Sequence, residues 1–415
     1  MTNLLRNARL ADGRLVDISV DDGLITSVTD AAPDADDGRS PDGTVTDLNG
    51  WLVLPAMAEP HAHLDKALTA EIVPNPTGDL IGAIEAWVAA AGQGTFSYEN
   101  TVERAAAAME LLLVHGTTAV RTHVNVLGSN QTTSLRAIKE AAARYDGLLD
   151  VQTVALTSTP MTGNDPEAVA NRQALHAAVE EGVDLVGGCP HLDPDGPAVI
   201  RQAIEIAADA GIGIDLHVDE MLDPSVLTLR DFARQVIDTG FEGLVAASHC
   251  VTLGMQPPDV QREVAGLVAE ANIAVFPLPQ TNLYLQGRDH RSAVPRGLTA
   301  VDALLEAGVL VAAGADNVQD PFNLVGRSDP LETAALMVMA GHRLPDDAYD
   351  MVSNRPRSAM GLPPVGFNPG DPADLVAIDA PSVRGAVADA PMSRRVFRRG
   401  ALVASADQRT TVHRP

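Results

Sequence analysis

The sequence predicts an α/β protein: a (β/α)8 barrel joined to a small β-domain made from both chain ends. Two patterns in the middle of the chain point to the barrel. Eight apolar, strand-like runs alternate with helical stretches over roughly 300 residues, and several helical stretches close on glycine, at Gly182, Gly211, Gly240 and Gly308. Strands each followed by a capped helix are the signature of a parallel barrel. A third pattern sets the ends apart, since both termini read as short strands and turns without helical periodicity.

At the N-terminus, Leu4–Leu10, Leu15–Val20 and Leu24–Val28 alternate in polarity and are separated by Asp12-Gly13 and Asp22-Gly23, which are hairpin turn signals. An acidic Gly- and Pro-containing stretch, Ala31–Gly43, reads as a loop before the strand Trp51–Leu54. Near the C-terminus, Asp374–Ile378, Arg394–Arg399 and Ala401–Ser405 have the same texture, with a turn at Gly400. Residues 1–55 and 362–415 are therefore expected to form one composite β-domain, and residues 56–361 the barrel.

In the barrel, strands are expected at Leu52–Pro55, Ala119–Val124, Leu149–Leu156, Leu185–Cys189, Gly213–Val218, Leu244–His249, Ile273–Leu278 and Val309–Ala313. Helical patterns lie between them at Leu135–Tyr145, Pro166–Glu181, Ala198–Ala210, Val226–Thr239, Val260–Ala271 and Ala300–Ala307, with Leu331–Ala340 after the last strand. No Gly-x-Gly-x-x-Gly turn follows an early strand, which disfavours a doubly wound sheet. The piece Ala67–Val114 is too long for a plain helical return, and Asn75-Pro76-Thr77-Gly78-Asp79-Leu80 within it reads as a loop over the site, with Leu80 a candidate substrate contact.

Composition narrows the function. The chain has 415 residues, is 46% hydrophobic and only 3% aromatic, so Ala, Val and Leu must fill its interior. Its formal charge of −26 repels phosphate backbones and anionic lipids, which argues against nucleic-acid or membrane partners. Cys189 and Cys250 are the only cysteines, too few for a disulfide framework. The opening residues show no secretory pattern, and no run approaches the roughly 18 apolar residues of a membrane span. A cytoplasmic homo-oligomer acting on a small molecule is expected.

Active-site groups of a barrel sit at the C-terminal ends of its strands. Those ends carry Pro60-His61-Ala62-His63, His217-Val218-Asp219-Glu220, Ser248-His249 and Gly314-Ala315-Asp316-Asn317. In an extended chain residues two apart share a face, so His61 and His63 project together. Imidazoles and carboxylates recurring on one rim point to a bound metal ion.

In this order the motifs resemble the amidohydrolase superfamily and, within it, the cytosine deaminase-like branch. The likeness spans nearly the whole chain. It includes His61-Ala62-His63-Leu64-Asp65-Lys66, Val120-Arg121-Thr122-His123-Val124, Pro190-His191, Leu285-Gln286-Gly287-Arg288, Asp320-Pro321-Phe322 and Pro372-Ala373-Asp374-Leu375-Val376. The resemblance implies a distorted barrel with a terminal β-sandwich and one divalent transition metal ion, Zn²⁺ or Fe²⁺. By position it makes His61, His63, His217 and Asp316 the ligands, Glu220 the proton-shuttling acid and His249 the partner of the attacking water. No lysine in Leu185–His191 offers a bridge to a second ion.

The implied reaction is hydrolytic deamination of a small N-heterocycle of the cytosine, isocytosine, creatinine or aminotriazine kind. A bound ion lowers the pKa of water from 15.7 to roughly 7, so hydroxide can attack a ring carbon while Glu220 protonates the adjacent nitrogen. Asp316 would take the water proton and deliver it to the leaving amine. Cyclic amide, amidine or N-alkylamine hydrolysis would use the same site, and a silent binding protein would keep the scaffold alone. The cytidine-type Pro-Cys-x-x-Cys motif is absent.

Substrate-reading positions depart from the branch. Its cytosine deaminases carry a glutamine where Ser158 falls, and an Asp-Asp pair and a Trp where this chain has Asp316-Asn317 and Phe322. Ser158, His191, Leu80, Asn317 and Phe322 are accordingly the candidate substrate contacts, with His123 a possible addition. Asp65 and Lys66 are expected to form a local ion pair.

Overall fold

The computed structural model describes residues 2–31, 43–128 and 131–413. Seven parallel strands form the barrel wall: β6 (Met57–Ala62), β7 (Thr117–Val126), β8 (Asp150–Thr157), β9 (Leu185–Val186), β10 (Gly213–Val218), β11 (Val245–His249) and β12 (Ala274–Phe276). The eighth stave, residues 309–316, pairs only through isolated parallel bridges, Val275 with Val311 and Ala62 with Asp316. Those two bridges lie on opposite sides of the stave and close the cylinder. The barrel is thus irregular at the strand that carries Asp316.

The second sheet has eight strands: β1 (Thr2–Arg9), β2 (Leu15–Asp21), β3 (Leu24–Asp30), β4 (Gly43–Asp47), β5 (Leu52–Pro55), β13 (Leu375–Ile378), β14 (Arg394–Arg398) and β15 (Ala401–Ala406). Its order is β15-β14-β13-β5-β1-β2-β3, with β4 beside β1, so strands from both chain ends hydrogen-bond directly. It also folds over its own core, where Ile18, Val20 and Ile25 pack in one cluster with Leu375, Ala377 and Phe397.

Three expectations shift. Leu52–Pro55 is not the first barrel strand: it pairs with β13 and β1 in the terminal sheet, and the barrel begins at Met57. Two adjacent short strands read in sequence as one apolar run, because Ala56 alone separates them. The fourth barrel strand shrinks to Leu185–Val186, although Gly187 N still donates to Ala155 O at 3.0 Å and Gly188 O accepts from His217 N at 2.9 Å. Within the stretch expected as a loop over Ala31–Gly43, residues 32–42 lie outside the described residues, and Gly43 opens the unforeseen strand β4.

The helices follow the sequence closely, for example Pro166–Glu180, Gly196–Ala210 and Thr228–Thr239. Gly211 and Gly240 end two of them in the left-handed conformation, φ 67° and 63°, which costs glycine no Cβ clash. The main core is aliphatic, as composition demanded: Val120, Val124, Ile138, Ile200, Ile204 and Leu216 pack between barrel wall and helices. Among the described residues, no helix is long and apolar enough to cross a membrane.

Candidate metal centre and active site

Strand β6 delivers His61, and His63 follows it by one residue; β10 delivers His217, β11 His249, and the eighth stave Asp316. All five are buried. His63 Nε2 stands 3.2 Å from His217 Nε2 and 3.2 Å from Asp316 Oδ1, and His61 Nε2 stands 3.6 Å from the same oxygen. Such separations suit four donors held about 2.0–2.2 Å from one ion.

The donors also lack other partners. His61 Nε2 and both Asp316 oxygens are buried without a hydrogen bond. A buried polar atom left unpaired is costly, so three on one point call for a cation. Burial and the neighbouring imidazoles hold His61 and His217 well below the usual histidine range, and burial followed by the Lys66 charge does so for His63. Neutral imidazoles offer lone pairs. The residues present therefore fit a divalent ion.

Backbone geometry aims these side chains. Asp316 and His249 adopt φ 66° and 68°, a left-handed conformation rare for residues with a Cβ, where each stave turns outward. Beneath Asp316, Glu59 bridges two staves: Oε1 accepts from His61 N at 3.1 Å and Oε2 from Ala315 N at 3.0 Å. Gly314 makes room for it, since a Cβ there would lie 2.4 Å from Glu59 Oε1. Burial raises the Glu59 carboxyl to about 8.

A hydrogen-bonded chain fixes His61. Its Nδ1 lies 2.7 Å from Ser248 Oγ, which donates to Asp215 Oδ1 at 3.1 Å, while Arg121 donates to Asp215 Oδ2 at 2.9 Å. The direction of donation puts the proton on Nδ1 and leaves the Nε2 lone pair facing the cluster. Burial alone would raise the Asp215 carboxyl, but His123 and Arg121 hold it below its usual value. Ser248 and Asp215 were not singled out from sequence. The available signal was alternation, since Asp215 shares a face with His217 along β10.

Glu220 follows β10 and is buried, with Oε2 3.6 Å from His249 Nε2. Burial, then the Asp316 charge, pushes its carboxyl well above the usual range, which favours its protonated form. Gln286 Nε2 donates to the Glu220 carbonyl at 3.0 Å, fastening the turn that carries it. His249 Nδ1 lies 3.1 Å from Asn282 Oδ1, so Nε2 is the free acceptor, and burial lowers this imidazole to about 4.

These groups open onto a cavity of about 620 Å³. Its lining brings together His63, His217, Glu220, His249 and Asp316 with Leu80, Ser158, Asn317 and Phe322. The loop before Leu80 is pinned over it: Asn75 Nδ2 donates to Pro321 O at 3.0 Å, and Asp79 caps the helix Leu80–Gly92 through Gly82 N at 2.8 Å. Trp87 and Phe96, stacked with ring centroids 4.5 Å apart, wall the far end. That helix was not assigned from sequence: Leu80 was read as the end of the preceding loop, although Leu80, Ile84 and Trp87 recur at helical spacing.

Two candidates fall elsewhere. His191 does not line the cavity; its Nδ1 donates to the His217 carbonyl at 3.1 Å, bracing the strand that carries His217. His123 lies behind the ligands, its ring 4.0 Å from that of His61. The expected Asp65–Lys66 ion pair does not form: Asp65 Oδ2 takes both the backbone and side-chain N–H of Asn125, at 3.0 and 2.8 Å. Adjacent residues on a tight turn diverge, so the carboxylate and ammonium face different neighbours.

The sequence profile of the amidohydrolase family matches residues 97–404. Over 394 residues the chain is 34% identical to a pterin deaminase of Rhizobium rhizogenes (strain K84), covering 93% of this chain and 87% of that one. It superposes on the crystal structure of 5-methylcytosine deaminase from Klebsiella pneumoniae liganded with 5-fluorocytosine with a TM-score of 0.87, at 28% identity, covering 100% and 99% of the two chains. The N-isopropylammelide isopropylaminohydrolase of Burkholderia multivorans is similar at a TM-score of 0.82 and 27% identity, over 98% of both chains.

Proposed function

The chain belongs to the amidohydrolase family, and from that premise we propose that it is a metal-dependent hydrolytic deaminase of a 2-amino-4-oxo N-heterocycle of the pterin type. The observation that carries the reading is the convergence of unpartnered His61 and Asp316 donor atoms with His63, His217, Glu220 and His249 at a single cavity. The bond hydrolysed is carbon–nitrogen in a ring amidine, giving a carbonyl and ammonia. A cavity of about 620 Å³ with aromatic far walls suits a bicyclic ring better than a pyrimidine alone.

His61, His63, His217 and Asp316 would hold the ion. When bound, a divalent ion supplies Lewis acidity that makes water nucleophilic at neutral pH. Glu220, whose protonated form burial favours, donates to the ring nitrogen beside the attacked carbon, so negative charge does not accumulate there. His249 Nε2 accepts a hydrogen bond from the attacking water. Asp316 Oδ2, 4.0 Å from that nitrogen, passes a proton toward the departing amine. Three imidazoles and a carboxylate suit Zn²⁺ or Fe²⁺.

Leu80, Ser158, Asn317 and Phe322 would shape substrate. Asn317 Nδ2 is held by Asp320 Oδ2 at 2.7 Å, which sets its orientation at the cavity wall. A charge of −26 supports a cytoplasmic protein without nucleic-acid partners, and the exposed Val325, Met339 and Leu344 favour a homo-oligomer.

The test is an ammonia-release screen of metal-replete protein across pterin, cytosine, isocytosine, creatinine and aminotriazines. Ammonia from the pterin-type ring, abolished by chelation, is the expected result. Alkylamine release from an N-alkylated triazine would instead favour the reaction named for the Burkholderia relative. Bound metal without turnover of any ring would overturn the reading.

A further inference from the structure

Among the described residues, Lys66 is a buried cation with no carboxylate oxygen at ion-pair distance. It is 5% exposed, and it is the only Lys or Arg among the described residues that line the cavity. Its Nζ stands 4.4 Å from the centroid of the Phe322 ring. Among the described residues no carboxylate pairs with it, and no acceptor takes a hydrogen bond from Nζ. The nearest carboxylate in sequence, Asp65, is committed to Asn125.

Its position is built. Arg104 donates to the carbonyls of Asp65 and Ala67, at 3.0 and 2.7 Å, clamping the backbone on either side of Lys66. The Lys66 charge reaches Glu220, Asp316 and Asp320, where it opposes the burial that raises each carboxyl. An aromatic face returns less than an ammonium loses on leaving water, so the ring alone does not account for the burial. Three donor hydrogens remain open to whatever occupies the cavity.

We propose that Lys66 is a specificity-determining residue that takes a negatively polarised oxygen of the heterocycle, either an exocyclic ring carbonyl or a carboxylate substituent. The inference rests on the heterocycle-hydrolase reading and names the feature its substrate must carry. A ring lacking such an oxygen would leave the ammonium buried and unpaired, and a site with an unmet buried polar group discriminates strongly.

The test uses metal-loaded protein carrying Glu220→Gln to suppress turnover, alone and with Lys66→Met or Lys66→Arg. Metal content confirms that each variant is folded. Dissociation constants are read from pteridine fluorescence for pterin, 2-aminopteridine (which lacks the 4-oxo group) and pterin-6-carboxylate. Lys66→Met is expected to weaken pterin about 10- to 100-fold and 2-aminopteridine by less than about threefold, with Lys66→Arg between wild type and Met. Loss confined to pterin-6-carboxylate would assign the contact to the carboxylate rather than the ring. Equal losses for pterin and 2-aminopteridine would overturn the proposal, as would no loss for any probe.

A second arm stands apart from the substrate reading. If the parent protein binds no pteridine, that reading falls, and crystals soaked in bromide decide the role of Lys66 alone. An anomalous peak against Nζ that vanishes in Lys66→Met supports an oxyanion-recognising ammonium; its absence from the wild-type crystals overturns it.

Discussion

His63 Nε2 and His217 Nε2 face one another across 3.2 Å, although β7, β8 and β9 separate the strands that carry them. Two neutral imidazoles this close either share one N–H or turn both lone pairs on a cation, and the second arrangement is the one the proposed metal site requires. Removing the metal should therefore cost both turnover and stability. Chelation is expected to abolish ammonia release, and readdition of Zn²⁺ or Fe²⁺ to restore it. Binding to the folded state alone contributes about 2.7 kcal/mol when free metal is roughly 100 times its Kd, so the melting temperature should fall on chelation and rise again with metal.

Glu220 should separate chemistry from metal binding. It sits near His249 and Asp316 but is not needed to complete the ligand set. Glu220→Gln keeps the shape of the side chain and removes the transferable proton. A fall in kcat of about 10²- to 10⁴-fold with unchanged metal content is expected. Near-normal turnover with full metal occupancy would reject its role as acid.

Ser248→Ala interrupts the chain from Asp215 to His61 Nδ1. The ligand stays in place but loses the hydrogen bond that fixes its tautomer. Metal affinity, measured by chelator competition, should drop about 10- to 100-fold. Ser248→Thr retains the hydroxyl and should lose much less, unless its extra methyl group displaces His61.

Acid should remove a histidine contribution to the stability of the metal-free protein. Burial lowers His191 and His249 to about 4 from an ordinary 6.5, and His61, His63 and His217 are also held low, the last three with help from neighbouring charges. Between pH 6.5 and about 4 the unfolded chain protonates these imidazoles and the folded chain refuses, so each histidine's contribution to stability falls by about 1.4 kcal/mol per pH unit as pH falls. The carboxyls of Glu59, raised to about 8, and Asp320, raised to about 7, act in the opposite sense, because the folded chain protonates them first. His191→Gln removes one histidine contribution, so the denaturant midpoint of chelated protein should change more favourably from pH 7 to 5 in the variant than in the wild type.

Much of this protein is written in local sequence. Period-two alternation placed β1, β2, β3 and β14, and glycine after several helices marked where barrel strands resume, because those signals act over a few residues. His61, His63, His217, His249 and Asp316 were legible because a barrel puts the ends of all its strands on one rim. Other features depended on which side chains meet across the fold. Leu52–Pro55 joined the terminal sheet because β13 pairs with it there, some 320 residues away in sequence, a partner no local pattern reveals. Ser248 became the link between Asp215 and His61, His191 turned to a carbonyl, and Lys66 parted from Asp65. Chain chemistry specifies which groups are available; only packing decides the distances and burial that turn an imidazole into a ligand and a carboxyl into an acid.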